Sequence, residues 1–201
     1  MMNGTPLSRC AFAAIDFESA GAAPGETDQP VQIGVVRVEG LFGAPRLWDS
    51  YLSVSHPVHW AAAKVHGITT EMLVGAPSLL SLWPRVRELL GGAVVVGHHC
   101  STERRFLRCF PGHGLGPWLD TLTLARVTMP GRKDYSLGAV AEALGITSDV
   151  RQCVPGRRWH DALFDAVGSL FVLQFLVRAL DLREAPLSAL GKAVKENDTC
   201  Q

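Results

Sequence analysis

The stretch VVVGHHCSTERRFL, residues 94–107, decides the fold because it joins two periodicities in one line of sequence. A short β-branched run ends at Gly97, and the residues after it have helical texture, with Ser101 or Thr102 placed to cap the helix and Glu103 in its first turn. A buried strand running into a helix is the unit of layered α/β folds. Taken singly, Glu103 reads as a surface acid favoured by the helix dipole, beside Arg104 and Arg105.

Upstream, the chain reads as β. CAFAAIDFE (10–18) is a short apolar run ending in acids, which reads as a buried strand. VQIGVVRVEG (31–40) and RLWDSYLSV (46–54) are β-rich, and only LFGAP separates them, so the three form a meander. HWAAAKVHGIT then reads as a short helix running into a turn. In SLLSLWPRVRELL (78–90), Pro84 marks either a helix start or a kink. Downstream, WLDTLTLARVTM turns from strand to helix near Asp120, and DYSLGAVAEALGI is a capped helix ending at Gly145. SDVRQCVPGRRW reads as a loop carrying three arginines. The stretch 160–182 is a long helix apolar on most sides, hence largely buried. The order predicts an α/β fold, a mixed sheet flanked by helices, in one domain over residues 1–182 with a polar tail at 183–201 that is loose near its end.

Bulk properties agree with one ordinary domain: 201 residues, 47% hydrophobic and 19% charged. No apolar run suggests a membrane span and no leader pattern opens the chain, so a cytoplasmic protein without membrane partners is expected. Five cysteines without a C-x-x-C pair fit reduced thiols. Net charge is zero, but residues 101–160 carry 9 Lys and Arg against 5 Asp and Glu, a basic middle third compatible with a phosphate-bearing ligand.

Three acidic clusters stand out by their order. Asp16 and Glu18, two apart on a strand, point to one face, where two carboxylates are costly unless exposed, paired or bound to a cation. Glu103 follows the fourth strand. His160 and Asp165 open the last helix; with Asp161 as its N-cap, His160 stands outside the helix and can converge on Asp165 in its second turn.

Together, AAIDFESAG, VVVGHHCSTERRFL and RWHDALFDAVGSLFVL, with KVHGITTEML, LDTLTLAR and DYSLGAVAEALGI between them, resemble the DEDDh 3′→5′ exonucleases. This is the DnaQ-like family, which includes proofreading polymerase subunits and ribonuclease T, and the resemblance runs over residues 11–176. It implies a ribonuclease H-like mixed five-stranded sheet and hydrolysis of nucleotides from a 3′ end of single-stranded nucleic acid, with DNA favoured slightly over RNA. It also implies two divalent ions, Mg²⁺ or Mn²⁺, on the carboxylates of Asp16, Glu18, Glu103 and Asp165, with His160 as general base. The all-oxygen donor set suits hard cations. By the same resemblance, groups at Phe17 to Ser19 contact the terminal nucleotide, His66 stands where it either lines that cleft or packs in the core, and a polymerase or other replication or repair partner would act in trans.

Two positions depart from the family pattern H-N-x-x-x-D. His99 stands at the Asn, as a polar contact or a nitrogen donor to metal, and Glu103 stands at the Asp with one more methylene. That longer reach keeps open the alternative of a weakened or inactive exonuclease-like module that binds nucleic acid or serves assembly.

Overall fold

In the computed structural model, which describes residues 4–195 apart from 24 and 111, the first three strands form the expected antiparallel meander. β1 (Ala11–Ser19) pairs with β2 (Pro30–Glu39), which pairs with β3 (Arg46–Tyr51). β4 (Val94–Gly97) and β5 (Trp118–Asp120) then add in parallel on the other side of β1. All four residues of β4 are buried, as a strand covered on both faces requires. The sheet order is β3-β2-β1-β4-β5, a mixed five-stranded sheet, and a two-residue β6 (Val194–Lys195) joins its edge on β5.

Helices cover both faces. On one lie α2 (Trp83–Leu90) and α3 (Ser101–Leu107), which pack on Ala13, Ile15, Val35 and Val95, while α1 (Trp60–His66) buries none of its residues. On the other, α4 (Thr121–Thr128), α5 (Leu137–Ala143), α6 (Thr147–Cys153) and α7 (Ala162–Ala179) enclose Phe12, Ala14, Val36 and Val94. α7 is the central helix of that layer. It is long and apolar enough to cross a membrane by length and composition, but 67% of it is buried against the sheet and the helices beside it. Each fully buried Leu, Val or Phe on it contributes about 1.5–3 kcal/mol of transfer free energy.

Several local expectations change. Pro84 starts α2 rather than kinking it, after a single 3₁₀ turn at Leu80–Leu82. α3 has Cys100 at its N-cap and no side-chain cap, with Ser101 already inside the helix. The supposed loop at 148–159 contains α6, whose Val150 side chain reaches the core. The tail begins by packing on the domain: Leu187 and Leu190 are buried and the segment through 195 closes on β5. Residues 196–201, including Cys200, lie outside the described residues. The four described cysteines are free thiols.

Candidate active site

Parallel pairing of β1, β4 and β5 brings their carboxyl ends together, and the acids collect there. Asp16 and Glu18 share the β1 face that carries Phe12 and Ala14, so both look toward α7. Phe17 points the opposite way, into the core against Phe106 on α3, with ring centroids 5.4 Å apart. Only its backbone is therefore left to meet a nucleotide. The β1–β2 register breaks between Glu18 and Ser19, a bulge that bends the strand as it leaves the site.

How α7 reaches this edge is set by β2. Gln32 and Gly34 pair with Glu18 and Asp16 and face the N-terminus of α7. Gln32 is 1% exposed; its Oε1 accepts from the Ala162 N–H at 3.1 Å and its Nε2 donates to Asp161 at 3.1 Å. Gly34 must be glycine, because a β-carbon there would stand 2.2 Å from the Ala162 and Leu163 backbone. Asp161 caps α7 as expected, accepting from the N–H groups of Leu163 and Phe164. Arg157 completes the seat, forked onto Asp49 of β3 at 2.9 and 3.0 Å and donating to Asp161 at 3.0 Å.

The turn before α7 is held just as firmly. His160 lies in the left-handed region at φ 68°, outside the helix, and its N–H donates to both Asp165 oxygens at 3.2 and 3.3 Å. Trp159 packs edge-on to Phe164 and sits over Gly168, where a β-carbon would come within 2.8 Å of the indole. Carboxylate and imidazole atoms of Glu18, His160 and Asp165 consequently lie within 4.8 Å of one another.

Asp16 and Glu103 make the other half. Glu103, in the first turn of α3, is 4% exposed, not the solvated charge that its arginine neighbours suggest. Its Oε2 is buried without a hydrogen-bond partner among the described residues. Burial, then the facing charges of Glu103, Asp165, Glu18 and Asp161, pushes the Asp16 carboxyl well above its usual range. Burial, followed by the charges of Asp165, Asp161 and Glu103, raises Glu18 to about 8. Glu103 is raised to about 8, chiefly by burial and further by Asp120, with its backbone hydrogen bond and Arg105 opposing. Asp165 rises to about 7 through burial, against the opposing His160 N–H.

Such a cluster is unfavourable as it stands, and an orphaned, buried carboxylate oxygen is the kind of group a cation satisfies. Four carboxylates and no thiolate in the cluster fit hard divalent ions. Asp16, Glu18, Glu103 and Asp165 are the residues that could hold them.

His66 lines the same edge. Its Nδ1 accepts from the Ile68 N–H at 3.0 Å, so its Nε2 carries the proton and donates to the Ser19 carbonyl at 3.1 Å. Burial lowers its pKa, the Ser19 carbonyl opposes this, and nearby His160 lowers it further. With both nitrogens engaged, only the ring surface remains for a ligand. His99 is exposed, its Nε2 3.3 Å from the Ser101 hydroxyl.

A family model described as "Exonuclease", named for RNase T, matches residues 13–173. The chain belongs to the DnaQ-like exonuclease family. It is 33% identical over 197 residues to a DNA polymerase III subunit epsilon-like protein of Rhodobacter capsulatus, covering 96% of this chain and 27% of the relative. To the DNA polymerase III subunit epsilon of Aquifex aeolicus it is 31% identical, over 69% of this chain and 70% of the relative. The chain thus spans about a quarter of the first relative's length. Exonuclease X, solved with 5′-overhanging duplex DNA, superposes with a TM-score of 0.69 at 25% identity, covering 89% of this chain and 98% of that one. The nuclease domain of 3′hExo, a DEDDh member bound to rAMP, shares the fold at 0.67 and 15% identity, over 93% of this chain and 96% of its own.

Within this family, the substitution at residue 99 has a backbone explanation. His99 adopts φ 71°, and Asn and His are both among the residues enriched in the left-handed region. The Asp120 carboxylate, 1% exposed, holds the turn by accepting from the His99 N–H at 3.2 Å while it caps α4 through Leu122 and Thr123. In sequence Asp120 stands out only as the point where strand becomes helix, and Gln32, Asp49 and Arg157 do not stand out at all. Nothing local marks those three.

Proposed function

We propose that the protein is a metal-dependent 3′→5′ exonuclease acting on single-stranded ends, with DNA favoured over RNA. The observation that supports it most is the convergence of Asp16, Glu18, Glu103 and Asp165, each with its pKa raised, at the edge where β1, α3 and α7 meet.

Two divalent ions bound by these carboxylates would supply positive charge to the attacking and leaving oxygens of an in-line displacement. The chain's residues do the rest. His160 accepts the proton of the attacking water, its ring exposed toward substrate while its N–H is anchored on Asp165. The backbone of Phe17 and Ser19 and the ring of His66 border the terminal nucleotide. Water attacks the last phosphodiester phosphorus, the bond to the preceding 3′ oxygen breaks, and a 5′-mononucleotide leaves.

Likeness to epsilon subunits supports a polymerase partner in trans, and free thiols are compatible with the cytoplasm. Glu103 favours the second reading, an inactive nucleic-acid-binding or assembly module, because its longer side chain shifts the carboxylate. Titration with Mn²⁺ separates them: the enzyme should bind two ions per chain, with Asp16→Ala losing at least one. A wild type that binds none would refute the metal-dependent reading.

A further inference from the structure

Beside the acidic cluster lies a second concavity of opposite character, about 330 Å³, lined by His98, His99, Arg126, Lys133, Tyr135 and Ser136. It opens between the turn that starts α3, the exposed face of α4 and the turn before α5. Among the described residues no carboxylate lines it. Arg126 and Lys133 are both exposed on its rim, and among the described residues neither pairs with an acid. The acids that come nearest in sequence are turned elsewhere: Asp120 onto three backbone N–H groups, and Asp134 onto the Ser136 N–H at 2.7 Å.

The floor is prearranged. His98 is clamped, with Nε2 2.7 Å from the Tyr135 carbonyl and Nδ1 3.0 Å from the Thr121 hydroxyl. The Tyr135 hydroxyl donates to the Met129 carbonyl at 2.8 Å, and the Arg132 guanidinium donates to the Asp134 and Ala139 carbonyls at 3.4 and 3.2 Å. The turn that presents Lys133 is thereby closed on itself, while the Arg126 guanidinium lies over the Tyr135 ring at 5.8 Å. The Ser136 hydroxyl makes no capping bond to α5 and turns instead to the Asp134 carboxylate, which it helps to hold in the turn.

The geometry points to a phosphate-binding subsite here: Arg126 and Lys133 grip an internal phosphodiester of the strand whose 3′ end lies among the carboxylates. The inference rests on the exonuclease reading. His99 is on the pocket wall in the turn that leads into α3, and Glu103 lies in the first turn of that helix, so one strand can reach both. Two cations without acid partners recognise phosphate irrespective of sequence, as an enzyme moving along a strand requires.

The test measures binding and turnover together, on the full chain. Fluorescence anisotropy of a labelled oligodeoxynucleotide, with Ca²⁺ to support binding, gives affinity as a function of salt. Steady-state release of nucleotides gives kcat and KM for strands of two to twelve nucleotides. The double variant Arg126→Gln/Lys133→Gln should weaken binding of long strands several-fold and lower the salt slope of log K by about 0.7 for each phosphate it no longer grips. It should raise KM for long strands with kcat retained, while a dinucleotide, which has no internal phosphodiester to place there, shows no such penalty. Arg151→Gln, which removes one positive charge from the exposed face of α6, serves as the control for each single variant, Arg126→Gln and Lys133→Gln, measured beside the double. Orthophosphate that competes with wild type as well as the strand does would identify a free-anion site and overturn the assignment to substrate. Equal loss on dinucleotide and long strand, or unchanged affinity and salt slope, would overturn it too. If wild type releases no nucleotide at all, the exonuclease reading fails on its own, and the anisotropy arm still decides whether this pocket holds a strand.

Discussion

Gly34 lies directly under Ala162, so close that a β-carbon on Gly34 would stand 2.2 Å from the helix backbone. Through this contact α7 comes down onto β2 beside Asp16, the register partner of Gly34, and brings Asp165 to the acids of β1. Gly34→Ala must lift the helix. Overpacking of this kind costs about 1–3 kcal/mol, and about 1 Å of displacement at a reacting centre can cost a hundredfold in rate. We expect a lower Tm with a disproportionate fall in kcat. Wild-type turnover in Gly34→Ala would show that the seat does not set the site.

Gln32 offers a gentler probe of the same seat. Gln32→Leu retains bulk but removes the acceptor for the Ala162 N–H and the donor to Asp161, leaving buried polar groups unpaired at a cost of about 1–3 kcal/mol. Chemical denaturation should report that loss, with weakened Mn²⁺ binding beside it. Gln32→Glu should restore the bond to Ala162 and yet place another carboxylate against Asp161.

Glu103→Asp shortens the side chain by one methylene and restores the family's residue. If the α3 backbone has kept the family geometry, activity should be maintained or raised; a drop to background would mean that the backbone has moved to suit glutamate. Glu103→Gln, which removes the charge, should lower turnover and ion binding in either case.

His160→Ala should reduce kcat by about 10²–10⁴, the usual range for a general base, while Mn²⁺ binding stays near wild type. The backbone N–H that anchors residue 160 on Asp165 survives the change. Loss of ion binding in this variant would instead make His160 a ligand.

The raised carboxyls predict an unusual pH dependence of stability. Glu18 and Glu103 titrate near 8 and Asp165 near 7 when folded, against about 4 when unfolded, so the native state holds more protons across this window. Stability of the metal-free protein is therefore greatest near pH 4 as far as these groups decide it, and falls as pH rises toward 8. Divalent ions compete with those protons, so the gain in Tm on adding Mn²⁺ should grow from about pH 6 to about pH 8.5. A gain independent of pH would contradict binding at these carboxylates.

The sequence was informative where structure is local. Continuous apolar runs mark β1, β2 and β4, and Asp120 and Asp161 mark helix starts that the structure bears out. It was informative again where order substitutes for strength: Asp16, Glu18, Glu103, His160 and Asp165 mean little alone, and the fold brings them to one edge. α6 escaped because TSDVRQC is polar but for Val150 and Cys153, and the Pro155–Gly156 punctuation after it reads as loop. The seat of α7 was illegible for a different reason. Gln32 meets Asp161 across 129 positions and Arg157 meets Asp49 across 108, and no local pattern encodes such pairs. Burial of Glu103 beside two arginines was hidden likewise, since only tertiary packing decides which face of α3 turns inward.

The most direct measurement is release of 5′-mononucleotides from labelled single-stranded DNA and RNA in Mn²⁺, Mg²⁺ or EDTA, with Asp16→Asn beside wild type. Asp16 is the better control than Asp165, which also fastens the His160 turn. We expect stepwise release from the 3′ end by wild type in either metal, faster on DNA, with none in EDTA and none from Asp16→Asn. Release that persists in EDTA or in Asp16→Asn, or no release from either polymer in either metal, would contradict a metal-dependent exonuclease.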